Sequence, residues 1–188
     1  MKPTLLLRIL MMIALAAVVS VPAMAQSEVY DNGPTDGTSD AWTINFGHMV
    51  SDSFTLTSGA NLDGLNFVAW VLPGDVLQTV EVSITSNAFF GTTYFDQTVS
   101  FTQSGCVSNE YGYNICSEAA SFSGPNLNVG TYWLTLKNAS VNTGDPIYWD
   151  ENSGPSRGLD CCAAAGDPVW ASALGTIPSE SFTLLGGG

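Results

Sequence analysis

Residues 80–85 read VEVSIT, and this stretch decides the fold. Val80, Val82 and Ile84 fall on one parity, while Glu81, Ser83 and Thr85 fall on the other. Neighbouring side chains in a strand point to opposite faces, so a period of two marks a strand with one dry and one wet face. The same rhythm recurs along the chain. Trp42, Ile44 and Phe46 alternate with Thr43 and Asn45, and Phe95, Val99 and Phe101 oppose Thr98, Ser100 and Thr102. Residues 65–72, LNFVAWVL, are apolar on both parities, as a central strand covered on both faces would be. Turn formers separate the runs: Gly59-Ala60-Asn61, Pro73-Gly74-Asp75, Gly124-Pro125-Asn126 and Asn142-Thr143-Gly144-Asp145. The pattern predicts an all-β fold, a single antiparallel β-sandwich, jelly-roll-like, of roughly eight to ten strands. The last strand is expected over 181–185, where Phe182 and Leu184 alternate with Ser181 and Thr183.

The first 25 residues stand apart. Lys2 and Arg8 flank the start of an apolar run, ILMMIALAAVV at 9–19, and Pro22 leads into Ala23-Met24-Ala25. This is the pattern of a cleaved secretory signal, with the cut between Ala25 and Gln26. The run is shorter than the ~20 apolar residues of a membrane span. The predicted organisation is a signal peptide over 1–25 and one β-sandwich domain over 26–188. The protein is expected to be secreted or at the cell surface, with no membrane span in the mature chain.

Lys2 and Arg8 leave with the signal, while all 17 acidic residues stay, so the mature chain carries a formal charge of −15. Such a surface repels phosphate backbones, which bind through Lys and Arg. Nucleic acid is therefore excluded as a partner, whereas neutral polymers and divalent cations stay open. The four cysteines all lie in the exported part, where disulfides persist. Cys106 and Cys116 flank VSNEYGYNI and are expected to staple a hairpin. The adjacent Cys161 and Cys162 could bridge each other, pair with the first two or stay reduced. Zinc is not expected, because there is no CxxC spacing and the one histidine is His48.

The mature chain is poor in bases. His48, Lys137 and Arg157 are the whole supply, and His48 reads as a polar turn residue in FGHMV. A nucleophile needs a base beside it, so no catalytic residue is assigned and no enzyme is expected. Calcium, which takes oxygen ligands, is the one cofactor the sequence suggests. Its candidate ligands are Asp31 and Asp36 in one loop and Asp150 and Glu151 in another. Carbohydrate binding is the second possibility, since a flat ring stacks on a sugar while polar groups fix its hydroxyls. Tyr132, Leu134 and Leu136 share a core parity, which puts Trp133 on the wet face with Thr135 and Lys137. In DPIYWDENSGPS, residues 145–156, Trp149 shares the inward parity of Ile147, and Tyr148 faces outward beside Asp150. Trp133, Tyr148 and Asp150 are the candidate sugar-binding residues. That segment also echoes an earlier one: YDNGP at 30–34 resembles WDENSGP at 149–155, and the two would lie side by side if the terminal strands paired.

The second half carries a further likeness. Gly130-Thr131-Tyr132-Trp133-Leu134-Thr135-Leu136 is followed by Asn138-Ala139, by Tyr148-Trp149-Asp150-Glu151 with Gly154-Pro155-Ser156, and by Ile177-Pro178-Ser179-Glu180-Ser181-Phe182-Thr183-Leu184. This order resembles uncharacterised secreted bacterial β-sandwich proteins, many of which carry a PEP-CTERM sorting tail. The tail itself does not follow here: after Leu185 come Gly186-Gly187-Gly188. The resemblance implies export and a surface or matrix setting, and no enzyme activity. The expected function is a non-catalytic, structural or matrix-associated sandwich protein with weak polysaccharide affinity. A dedicated carbohydrate-binding module is the alternative, and a secreted glycoside hydrolase ranks behind both.

Overall fold

The computed structural model describes residues 26–162 and 167–187. The expected signal peptide, with its junction at Ala25, lies outside the described residues. Fifteen strands follow one another among them. They are β1 (Ser27–Asp31), β2 (Ala41–Thr43), β3 (Met49–Leu56), β4 (Ala60–Val71), β5 (Leu77–Asn87), β6 (Phe90–Ser100), β7 (Thr102–Ser108) and β8 (Asn114–Ser121) in the first part. The second part holds β9 (Asn126–Leu127), β10 (Gly130–Val141), β11 (Tyr148–Asn152), β12 (Gly158–Cys161), β13 (Val169–Trp170), β14 (Ser179–Glu180) and β15 (Phe182–Gly187). A single 3-10 turn, Ala171–Leu174, follows β13. The expected eight to ten strands correspond to those of five residues or more: β1, β3 to β8, β10, β11 and β15. The remainder are too short to show a period.

The strands form two antiparallel sheets packed face to face. One runs β13-β12-β3-β10-β5-β6. The other runs β1-β15-β4-β11-β14, with β8 and β9 also on β4, β7 on β8 and β2 on β11. The chain's two ends meet, since β1 pairs with β15 in the register Ser27 opposite Gly186. The last strand therefore extends two residues beyond the predicted 181–185, to Gly187, and starts at Phe182.

Alternation fixes what lies between the sheets. On β10, Leu134 stands opposite Asp52 of β3 and Ile84 of β5, and Leu136 opposite Val50 and Val82. On β4, Leu65, Phe67, Ala69 and Val71 enter the core. Trp149 is fully enclosed against Phe67 and Phe182, with ring centroids 6.2 and 5.7 Å away, and its indole N–H donates to the Ser181 carbonyl at 2.9 Å. Burying each such ring contributes roughly 1.5–3 kcal/mol, and the tilted ring pairs add to that.

Two expectations about outer faces are corrected. LNFVAWVL has one core face, and on its other face Asn66 and Val68 are only half-covered, with Trp70 alone buried. Thr135 was expected to be wet beside Trp133, yet it is enclosed and donates to Ser51 Oγ at 2.9 Å. The ring of Trp133 is half-buried against Trp170, 6.2 Å away between centroids. Arg157 in turn sits 4.4 Å over the Trp170 ring. From the edge strand β13, the Trp170 side chain thus reaches across the outer face of the six-stranded sheet to Trp133.

Candidate functional site

An aromatic cleft forms on the outer face of the nine-stranded sheet. Its first wall comes from the hairpin β7–β8. The bridge Cys106–Cys116 staples that hairpin below its tip, as expected, with Cα atoms 4.1 Å apart. At the tip, the Asn109 side-chain oxygen accepts from the Tyr111 and Tyr113 N–H groups, both at 3.0 Å. Gly112 supplies the positive φ of 86° that this tight turn requires. The Asn109 amide then donates to the Gly37 carbonyl at 3.2 Å, which docks the tip on the 35–40 loop.

That docking lays the two tyrosines against β4 and β11. Tyr111, 57% exposed, stacks on Trp70 at 5.8 Å with planes 15° apart. Tyr113 lies 5.8 Å from Trp70 and 5.5 Å from Tyr148. Trp70 and Tyr148 are direct partners across β4 and β11. Between them opens a cleft of about 130 Å³, lined by Asp40, Ala41, Trp70, Tyr113 and Tyr148. Burial, with a hydrogen bond and charge repulsion from Tyr113, pushes the Tyr148 phenol up to about 12, so it stays a neutral hydroxyl. Asp150 forms the floor. One of its oxygens accepts from the Trp70 indole N–H and the other from Thr35 Oγ, both at 2.5 Å. Burial raises this carboxyl to about 6, against the pull of those two donors.

Thr35 also borders a neighbouring groove of about 340 Å³, walled by Pro34, Asn66, Val68, Ser117 and Thr183. Asn66, Val68 and Trp70 follow one another on the same side of β4, so groove and cleft lie along one line. From Asn66 to Trp70 that line measures ~13 Å at the rise of a strand.

The predicted sugar-binding residues do not share a surface. Tyr148 lines the cleft, and Asp150 supports it from beneath with no solvent exposure. Trp133 is on the outer face of the other sheet, under Trp170. Trp70, Tyr111 and Tyr113 were missed. Their contact joins a hairpin tip to a strand some forty residues earlier, and no local pattern signals it.

The predicted calcium ligands do not gather either. Asp31 accepts from Gly33 N–H at 3.0 Å, and Asp36 accepts from Thr38 and Ser39 within its own loop. Asp150 and Glu151 take opposite sides of β11, with Glu151 accepting from the Trp42 indole at 2.6 Å and the Ile177 N–H at 3.0 Å. Among the described residues, no three His, Cys, Asp or Glu side chains are arranged to hold a metal ion. These four acids are therefore not a ligand set.

A second group of polar side chains closes one end of the sandwich. Asn32 is its hub. Its amide nitrogen lies 2.6–3.1 Å from Ser156 Oγ, the Glu180 carbonyl, Ser179 Oγ and an Asp52 oxygen. The Asn152 amide donates to the carbonyls of Asn32, Gly33 and Pro34 at 2.8, 3.0 and 3.2 Å. The two echoing segments of sequence thus lie side by side. A Cβ on Gly154 would collide with the Asn32 carbonyl and Ser179 Oγ, so only glycine fits between them. Cys161, the last residue of β12, and Cys162 after it lie close by.

Neither known family models nor curated protein sequences match the chain. Among the described residues, no helix is long and apolar enough to cross a membrane.

Proposed function

We propose that this is an exported, non-catalytic sandwich protein that holds a neutral polysaccharide along β4. The observation that carries this reading is the stacked pair Trp70 and Tyr111 beside Tyr113 and Tyr148. Together they form a rigid aromatic cleft whose rim supplies hydroxyls and the Asp40 carboxylate. Rings give apolar area at small entropic cost, and hydroxyls select among sugar hydroxyls. The groove beyond Thr35 gives a chain room to continue past one residue. The charge of −15 left after the signal disfavours acidic glycans, so the substrate class is neutral. Export is supported by the signal-like first 25 residues, by the disulfides and by the resemblance to secreted sandwich proteins. Binding is favoured over hydrolysis because a hydrolase needs two carboxyl groups that reach the scissile bond. The carboxyls of this chain with the most raised affinity for protons, Glu118, Asp52 and Glu180, are fully enclosed.

The test is a glycan array and polysaccharide pull-down on the processed chain, followed by Tyr111→Ala. The exposed ring makes no core contact, so thermal stability should hold while retention on a neutral polymer falls at least tenfold. Equal retention by Tyr111→Ala, or binding confined to acidic glycans, overturns the reading.

A further inference from the structure

The closed polar end carries an inference independent of the cleft. Alternation puts Asp52 on the core side of β3, between Val50 and Phe54, and Glu180 on the core side of the chain beside Phe182. Both are fully enclosed. Both Glu180 oxygens, one Asp52 oxygen and one Asp160 oxygen have no hydrogen-bond partner. The other Asp52 oxygen accepts from Ser156 Oγ at 2.8 Å, from the Glu180 N–H at 2.7 Å and from Asn32 at 3.1 Å.

The charged groups that act on Glu180 are all acidic: Asp52 from β3, Glu151, its cross-strand partner on β11, Asp160 from β12, and Asp150 from the opposite side of β11. The neutral neighbours are Asn32, Ser156, Ser179 and the bare backbone of Gly158, where a Cβ would stand 3.1 Å from a Glu180 oxygen. Cations are elsewhere. Lys137 pairs with Glu81 at 2.9 Å, Arg157 sits over Trp170, and His48 comes only to 4.0 Å from Asp160. Several enclosed carboxylates without a counter-charge cannot all be ionised in a folded chain. The parts that close this end are also slight: β13 and β14 have two residues each, and β12 has four. Short ladders open locally at low cost.

We infer that the Asp52–Glu180 end of the sandwich is a proton-operated lock, closed while these carboxyls are neutral and released as they ionise. The sign follows from linkage. Burial raises Asp52 to about 7 and sets Glu180 well above its ordinary range, so the folded chain binds protons that the unfolded chain has lost. Stability is then greatest below the unfolded carboxylate range. It falls as pH rises through that range and levels off once the folded groups have ionised.

The test follows melting of the processed chain from pH 4.5 to 8, with Glu180→Gln and the surface control Glu110→Gln. One proton taken up on folding lowers Tm by about 3–5 °C per pH unit for a domain of this size. Wild type and Glu110→Gln should show that slope, and Glu180→Gln a shallower one. Should Glu180→Gln fail to fold, urea unfolding of Glu118→Leu, which lacks the enclosed acid outside this end, in weak buffer at pH ~6.5 should still release about one proton or more, read with an indicator dye. Hydrogen exchange at the Glu180, Ser181 and Gly158 amides should accelerate with pH beyond the intrinsic rate. A flat melting profile without proton release overturns the inference. So does an equal slope in Glu180→Gln, which would assign the effect to acids away from this end, Glu118 or those of the surface. A Tm at pH 8 restored by ~5 mM calcium in wild type and not in Glu180→Gln overturns it in favour of a metal ion.

Discussion

Glu118 and Glu180 are the same residue under the same enclosure, and neither side chain makes a hydrogen bond. Their surroundings differ. Glu118 lies on the core parity of β8 with Cys116 and Ala120, and opposite Phe67 of β4. Burial alone pushes its carboxyl up to about 8. Glu180 has hydroxyls and amides beside it, and repulsion from four other acids, Asp52 the strongest, adds to burial. One is a solitary polar group in an apolar layer. The other belongs to a network that ties β3, β11, β14 and the turn at Ser156 through Asn32. Replacing Glu118 should therefore relieve a cost, whereas disturbing the Asn32 network should create one.

The largest effect should come from breaking the network at its hub. Asn32→Leu takes a donor from Asp52, Ser156, Ser179 and the Glu180 carbonyl in an enclosed space, and each buried polar group left short of a partner costs about 1–3 kcal/mol. A loss of about 4 kcal/mol by urea titration is expected. A loss below 1 kcal/mol would mean that the network is dispensable. Glu118→Leu should act in the opposite direction. Below pH ~4 both chains hold a neutral side chain there and differ by at most about 1 kcal/mol. Above that, wild type loses stability as pH rises toward about 8 more steeply than the variant, which keeps only the pH dependence of the other enclosed acids. The variant should gain about 3 kcal/mol relative to wild type by pH 8. Equal pH profiles would break the comparison at its other end.

The remaining predictions concern the cleft, where the buried acid is satisfied. Joint replacement of Cys106 and Cys116 by Ser frees a ten-residue separation and should cost about 2–3 kcal/mol. It should also loosen the Tyr111 stack, seen as weaker near-ultraviolet dichroism from Trp70. An unchanged spectrum would mean that the Asn109–Gly37 contact alone holds the tip. Asp150→Asn should be the mildest change. The retained amide oxygen can keep the Trp70 indole bond, so the loss should be about 1 kcal/mol near pH 7. Because burial raises Asp150 to about 6, the wild-type advantage should shrink as pH rises. A loss above 3 kcal/mol would place Asp150 with the network and erase the contrast.

Much of this architecture was readable from alternation. It put Trp149 inside, Leu134 and Leu136 in the core and Tyr148 outside, because long strands impose their period on the sequence. The echo between 30–34 and 149–155 became a real contact through Asn152. The enclosed acids were readable too, had the same rule been applied to charges. Asp52 follows Val50 and precedes Phe54 on one parity, as Glu118 does with Cys116 and Ala120. Other features left no periodic trace. β12, β13 and β14 are too short to alternate, so the cover over Trp133 was hidden. Proximity in sequence joined Asp150 and Glu151 as candidate calcium ligands, while the pleat sets them on opposite faces of β11. The cleft depends on a hairpin tip reaching a distant strand, which composition does not encode.

The pairing of β1 with β15 has a mechanical meaning. Gln26 and Gly187 leave the domain from the same rim, so opposing forces on the two ends would peel the ladder open one bond at a time rather than shear it. Stitching those ends with a few flexible residues and cutting the exposed Gly112 turn instead should yield a rearranged chain with the same sheets.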